Sequence, residues 1–313
     1  MSRGQMTILV TGAAGFIGSA VSACLTTAGH RVVAFDNLSR GRREYLPPGT
    51  ALIEADIRDA AALRAAISDA APDAVVHLAA MHFIPDCIAR PAETIAINVD
   101  GTRNVLDACR GTSVRHVVFA SSAAVYAPVD HACTEAGTPI GPIEIYGESK
   151  VSGEVLLEAF HADTGVSATA LRLFNAVGRR ETNPHVIPHI FDSLKRSDVV
   201  PLGNTDARRD YVDSRDVASA ILAVLERVTG YNVMNVGTGV AVSVSDLIDE
   251  LRRLLGRDIR VLQEAARMRP TERMLLLADT TRLHNATGWQ ARHALSAVLT
   301  DLCDESGLLR AGR

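Results

Sequence analysis

The stretch Thr11-Gly12-Ala13-Ala14-Gly15-Phe16-Ile17-Gly18 lies between an apolar run, Thr7-Ile8-Leu9-Val10, and the segment Ser19-Ala20-Val21-Ser22-Ala23-Cys24-Leu25. The first flank reads as a buried parallel strand and the second as a helix. Strand, glycine turn and helix, in that order, is the context in which a glycine spacing points to a dinucleotide site. Gly12 suits the tight turn, Gly15 the approach of a pyrophosphate to the backbone, and Gly18 close packing of helix on strand. The free N–H groups at the helix start, together with the helix dipole, attract phosphate. The spacing alone fits an ordinary α/β turn equally well, so the residues downstream decide.

Arg31-Val32-Val33-Ala34-Phe35-Asp36 reads as a second strand ending in an acid, 18 residues beyond Gly18. That is near the ~20-residue spacing at which a carboxylate binds the adenosine ribose hydroxyls. A 2′-phosphate about 4 Å from Asp36 would cost roughly 4 kcal/mol at an effective dielectric near 20, which favours NAD over NADP. Arg40, Arg42 and Arg43 follow in the loop and leave a phosphate-receiving alternative open.

The alternation continues. Strands are expected at Ala51–Ala55, Ala74–Ala80 and His116–Ala120, and helices at Ala60–Asp69 and Glu93–Cys109. Repeated strand–helix units imply an α/β fold built on a doubly wound parallel sheet with right-handed crossovers. Ligands in such sheets sit beyond the carboxyl ends of the strands, which puts Gly12, Asp36, Asp56, Ala79, Ala80 and Ser122 on one rim.

Composition narrows the function classes. The chain has 313 residues, 47% hydrophobic and 22% charged, with a formal net charge of −4. This balance gives no reason to expect nucleic acid or an anionic membrane as partner. Cys24, Cys87, Cys109, Cys133 and Cys303 are odd in number and scattered, as expected of reduced thiols in a cytoplasmic protein. The N-terminal apolar run is broken at once by glycines, so no signal peptide is expected. No run reaches the ~18 apolar residues of a membrane span.

The chemistry enters with Ser121-Ser122 at the end of the fifth strand and Tyr146-Gly147-Glu148-Ser149-Lys150 at the start of the next helix. Tyr146 and Lys150 are i and i+4 and share a helix face. A free tyrosine, with a pKa near 10, is a poor base at neutral pH, and lowering it by about three units takes roughly 4 kcal/mol. A cation about 4 Å away supplies energy of that order, so Lys150 and an oxidised nicotinamide together are expected to depress the phenol. A single YxxxK pair is also compatible with an ordinary helix surface.

TGAAGFIG, the DNL after the second strand, the DI at 56–57, HLAA, SSAAVY and YGESK together resemble the extended short-chain dehydrogenase/reductase family, in particular its UDP-glucose 4-epimerase-like sugar-nucleotide epimerases. The resemblance runs from about Ile8 to Trp289. It implies an NAD-binding Rossmann domain over 1–172, to which 208–240 returns, and a smaller substrate lobe over 173–207 and 241–313. It implies Ser122, Tyr146 and Lys150 as the catalytic set of an isomerase of carbohydrate metabolism, inverting a nucleotide sugar, with UDP-hexose preferred, at C4 through a 4-keto intermediate. Gly12, Gly15, Phe16, Ile17, Gly18, Asp36, Asn37, Leu38 and Ser39 would hold NAD. So would Asp56, Ile57, Leu78, Ala79, Ala80, His82 and Phe174, with Tyr146 and Lys150. Asn175, His185, Val186, Leu202, Arg209, Arg269 and Glu272, with Ser122, match substrate-contacting positions, the arginines gripping diphosphate as guanidinium forks do. A homodimer formed through the helices around 93–109 and 147–162 is implied too, although Val151, Val155, Leu156 and Phe160 equally suit an intramolecular core.

Related 4,6-dehydratases follow the catalytic hydroxyl with Asp-Glu, and related decarboxylases carry a Glu at the second position. Here Ala123 and Ala124 stand there and cannot do acid–base work. Another reaction on a sugar nucleotide (net oxidoreduction, or 4,6-dehydration or decarboxylation despite the two alanines) or a non-catalytic NAD-sensing module stays as an alternative, the last opposed by the intact Ser122, Tyr146 and Lys150. Asn175 and Thr182 favour a neutral sugar over a uronate. Leu276, where a bulky Tyr wall stands in enzymes restricted to non-acetylated sugars, leaves N-acetyl sugars open. His82 stands where some members have Lys, Ala127 replaces the usual Gly, and Ile145 replaces the usual Pro. His185 and His189 are i and i+4, but Pro188 lies between them and no HExxH acid is present, so no metal is expected.

Overall fold

The computed structural model describes residues 4–267 and 273–309. The chain opens with β1 (Thr7–Thr11), α1 (Phe16–Thr27), β2 (Arg31–Asp36), β3 (Ala51–Glu54), α2 (Ala60–Ala70) and β4 (Ala74–His77). Next come α3 (Ile84–Ala89), α4 (Pro91–Ile95), α5 (Gly101–Cys109), β5 (His116–Ser122), α6 (Ile145–Thr164) and β6 (Ser167–Leu173). Then follow β7 (Asn175–Val177), α7 (Val186–Leu194), β8 (Val199–Leu202), β9 (Arg208–Asp213), α8 (Ser214–Arg227) and β10 (Tyr231–Val236). The chain closes with β11 (Ala241–Ser243), α9 (Val244–Leu255), β12 (Arg260–Gln263), β13 (Leu275–Leu276), α10 (Thr281–Thr287) and α11 (Leu295–Glu305).

Seven strands form one parallel sheet in the order β10-β6-β5-β4-β1-β2-β3. Its strands are continuous apolar runs because both faces are covered: Ile8, Leu9 and Val10 are fully buried. On one face α1 and α8 pack through Val21, Leu25, Val217, Ile221 and Val224. On the other, Leu63, Val105, Leu157 and Phe160 of α2, α5 and α6 cover Val33, Val75 and Val117. The strand order reverses direction between β1 and β4, which opens the crevice where doubly wound sheets bind ligands. The doubly wound α/β architecture expected from the alternation is therefore the one observed.

The long helix expected over Glu93–Cys109 is interrupted. Between α4 and α5, residues Ala96–Asp100 form a π turn, a local widening of the kind that often marks a functional position.

A smaller sheet joins β11, β9 and β13, with β7 on β9, and β12 pairs β8. Its apolar support comes from Ile187, Ile190 and Phe191 of α7, Leu247 and Leu251 of α9, and Val298 and Leu299 of α11. Of residues 208–240, α8 and β10 lie on the large sheet while β9 lies in the small one. The buried Asp210 carboxylate ties the two together. It accepts from the Thr238 amide and hydroxyl (2.8 and 2.7 Å), the Gly239 amide (2.9 Å) and the Ala278 amide (3.3 Å). Among the described residues, no helix is long and apolar enough to cross a membrane.

Candidate active site

The crevice is a single cleft of about 1710 Å³ running along the carboxyl rim of the large sheet and under the smaller one. At its glycine end, Gly12 adopts φ +69°, open to glycine at no steric cost, and its N–H donates to the Phe35 carbonyl at 2.8 Å. A Cβ at Gly18 would run into the Gly12 carbonyl and lie 2.8 Å from the Ala13 Cα, so only glycine lets α1 sit this close to the turn. The N-cap of α1, Gly15, makes no side-chain cap bond, and Gly15, Phe16, Ile17 and Gly18 all line the cleft. A helix start with uncapped N–H groups is a fitting cradle for a pyrophosphate.

Asp36 closes this end. Its carboxylate accepts from the Ala14 amide at 2.9 Å and the Leu38 amide at 2.8 Å, pinning the loop after β2 to the glycine turn. Burial raises its pKa, and these two bonds oppose the rise. An ionised carboxylate has about four acceptor positions, so capacity remains for ribose hydroxyls. The arginines left open as phosphate receivers each have a carboxylate partner: Arg40 with Asp86 (2.6 Å), Arg42 with Glu44 (3.9 Å) and Arg43 with Glu54 (3.7 Å). Asn37 donates to Asp56 at 2.8 Å, and the Arg58 fork beside Asp56 holds that carboxyl down at about 2. These residues fit NAD.

At the other end, Ser122 closes β5 while Tyr146 and Lys150 project from the first turns of α6. Gly147 makes the approach possible: a Cβ there would lie 2.6 Å from the Ala124 carbonyl oxygen. Lys150 Nζ donates to the Ala120 carbonyl at 2.8 Å and stands 4.9 Å from the Phe119 ring centre and 5.8 Å from that of Tyr146. Burial pushes the Tyr146 phenol up to about 12, against a hydrogen bond with Ser122 that draws it down. Burial also brings Lys150 down to about 8.

Two supports were not legible in the sequence. Asn98, in the π turn, donates to Ser149 (2.9 Å) and to the Met81 carbonyl (2.9 Å) and accepts from the Met81 amide (2.8 Å), joining the loop after β4 to α6. Behind Ser122, the buried Glu154 takes a two-pronged bond from Arg172 (2.9 and 2.7 Å) and a short one from the Ser121 hydroxyl.

Asn175, His185, Val186, Leu202 and Arg209 line the same cleft, as do Asn37, Ser39, Asp56, Ile57, Leu78, Ala79, Ala80, His82 and Phe174. Leu38 does not; it holds φ +56° and serves Asp36 through its amide. Arg269 and Glu272 lie outside the described residues. Arg273, buried and donating to the Ala123 (3.3 Å) and Ala124 (3.0 Å) carbonyls, is a cleft residue the sequence reading missed. His189 turns away to the Pro201 carbonyl at 2.8 Å.

A family model described as the NAD dependent epimerase/dehydratase family matches residues 8–237. A UDP-glucose 4-epimerase from Corynebacterium glutamicum is 32% identical, over 95% of this chain and 94% of that protein. The crystal structure of a UDP-glucose 4-epimerase from Thermotoga maritima with UDP-glucose is similar at TM-score 0.88 and 29% identity, covering 96% of this chain and 98% of that one. A UDP-glucose 4-epimerase from Thermus thermophilus in complex with NAD is similar at TM-score 0.87 and 29% identity, covering 98% of this chain and 100% of that one.

Proposed function

The chain belongs to the NAD dependent epimerase/dehydratase family, and we propose that it is an NAD-dependent nucleotide-sugar 4-epimerase acting on a UDP-hexose. The observation that carries this reading is the meeting of the Ser122 hydroxyl, Tyr146 and Lys150 in the same cleft as the glycine turn and Asp36, with Ala123 and Ala124 where sibling reactions need carboxylates. NAD, held by the glycine turn, Asp36 and the rim residues, supplies the hydride chemistry when bound. The chain's own groups handle the proton and the position. Tyr146 Oη exchanges a proton with the sugar C4 hydroxyl, the Ser122 hydroxyl hydrogen-bonds that oxygen, and Lys150 fixes the geometry through Ala120. Arg209 and Arg269 are assigned to the diphosphate, Asn175, His185, Val186 and Leu202 to the nucleotide and sugar, and Glu272 to the ribose of the nucleotide.

Asn175 and Thr182 favour a neutral sugar, and Leu276 in the cleft wall leaves room for an N-acetyl group. Residues 1–172 with α8 and β10 form the NAD-binding lobe, and the rest forms the substrate lobe. The five free cysteines suit the reducing cytoplasm. A homodimer belongs to the same reading: Val155 of α6, Ile88 of α3 and Ile95 of α4 are exposed, whereas Phe160 and Leu156 serve the core. Light scattering is expected to give twice the 33.3 kDa chain mass.

The decisive experiment incubates the protein with UDP-glucose, UDP-galactose and their N-acetyl, dTDP and GDP counterparts, and resolves products by NMR. Interconversion of C4 epimers without net NADH supports the reading. Stoichiometric NADH with a keto sugar, or no turnover of any member, refutes it.

A further inference from the structure

Three side chains from two distant segments of the chain converge on one wall of the cleft. His82 comes from the loop after β4, and Glu181 and His185 from the segment between β7 and α7. One potential ligand atom from each lies within 4.8 Å of the others. The two imidazoles stack with centres 6.1 Å apart, and the Phe83 ring stands edge-on to His185 at 5.4 Å.

Between His82 and Glu181 lies the Asn183 amide. Its Nδ2 is 2.9 Å from His82 Nε2 and 3.2 Å from Glu181 Oε1, while Glu181 Oε1 also accepts the Asn183 N–H at 2.7 Å. Nδ2 is a donor, so both neighbours act as acceptors and His82 Nε2 presents its lone pair. A hydrogen bond to the Ala80 backbone fixes His82 from the other side, the pattern by which proteins orient a ligating histidine.

We propose that His82, Glu181 and His185 form a binding site for one divalent transition-metal ion in the wall of the cleft. Two imidazoles and a carboxylate are a donor set suited to zinc, cobalt or iron, and three protein ligands leave positions open. Ligand atoms around a tetrahedral ion lie roughly 3.5 Å apart, so the trio must close by on the order of 1 Å. An ion enters only when the Asn183 carboxamide swings away from His82 and Glu181 and gives up its hydrogen bonds to both. The open positions face the cleft, where water or oxygens of a phosphorylated ligand complete the shell. The site stands whether or not the cleft turns over a sugar nucleotide.

The test uses the full chain, stripped with chelator and titrated with ZnCl2 and CoCl2 by calorimetry, with the visible spectrum of the cobalt form as a second readout. One equivalent is expected to bind, with affinity at least tenfold weaker in both His185→Ala and the near-isosteric Glu181→Gln. The cobalt bands are expected to change in the same variants. Thermal melting of each variant checks that the fold is retained. No stoichiometric binding, or binding unaltered in both folded variants, overturns the proposal and leaves the trio as a hydrogen-bonding frame for Asn183.

Discussion

Replacing Gly18 by alanine separates helix packing from cofactor approach. The new Cβ would sit 2.8 Å from both the Gly12 carbonyl carbon and the Ala13 Cα, and closer still to the Gly12 oxygen. Favourable carbon–carbon contacts begin near ~3.5 Å, so α1 must retreat by on the order of 1 Å. The obstacle is backbone on every side, so no side-chain rotation relieves it. Overpacking of this kind costs about 1–3 kcal/mol. A displacement of ~1 Å in a positioning element lowers turnover by roughly 10²-fold. At Gly15 the nearest atom to a new Cβ is the Gly12 oxygen at 3.3 Å, which a shift of a few tenths of an ångström relieves. Gly15→Ala should therefore keep the melting temperature of the NAD-free fold yet lose NAD, because a methyl there crowds the helix start assigned to the pyrophosphate. The assay is paired: melting temperature by scanning calorimetry, and NAD per chain released on denaturation. Gly18→Ala should lose both stability and NAD, and Gly15→Ala only NAD. A Gly18→Ala protein with unchanged melting and full NAD content would refute the packing argument.

Tyr146→Phe should lower epimerisation at least ~10²-fold while NAD content stays at the wild-type level, as expected when only the proton-transferring hydroxyl is removed; unchanged turnover sinks its role. Arg172→Met leaves Glu154 buried without its cation and should cost about 3–5 kcal/mol in chemical denaturation. Adding Glu154→Leu should recover part of that loss, and failure to do so means the pair is not the cause. His77, buried between Thr11 (2.7 Å) and Thr102 (3.0 Å), is held by burial at about 3, against 6.5 when free. Its folded-state value lies below its unfolded value, so its contribution is whole above about 6.5. It declines by roughly 1.4 kcal/mol per pH unit as acid protonates the unfolded chain, until about 3 is reached. His77→Gln should flatten the fall in melting temperature between about pH 6 and pH 4; an identical slope refutes the assignment.

Features carried by local geometry were legible before folding. The glycine turn between strand and helix, the acid ending β2, the i, i+4 placement of Tyr146 and Lys150, and the apolar runs of the parallel strands each depend on residues within one or two turns of each other. Helical and extended periods translate such spacings directly into position. The alternation of β1, α1 and β2 likewise implies a rim, because strand ends in a doubly wound sheet all face the same way.

Other features depend on which elements end up adjacent. His82 meets Asn183 across 101 positions, and Arg209 shares a cleft with Phe16 only because the small sheet closes over the large one. The π turn places Asn98 against Ser149 of α6, 51 positions away. No spacing rule encodes such meetings. The surroundings of Tyr146 arise in the same way. Sequence alone placed the cation four residues on, whereas the burial that raises the phenol comes from every atom the tertiary structure packs around it.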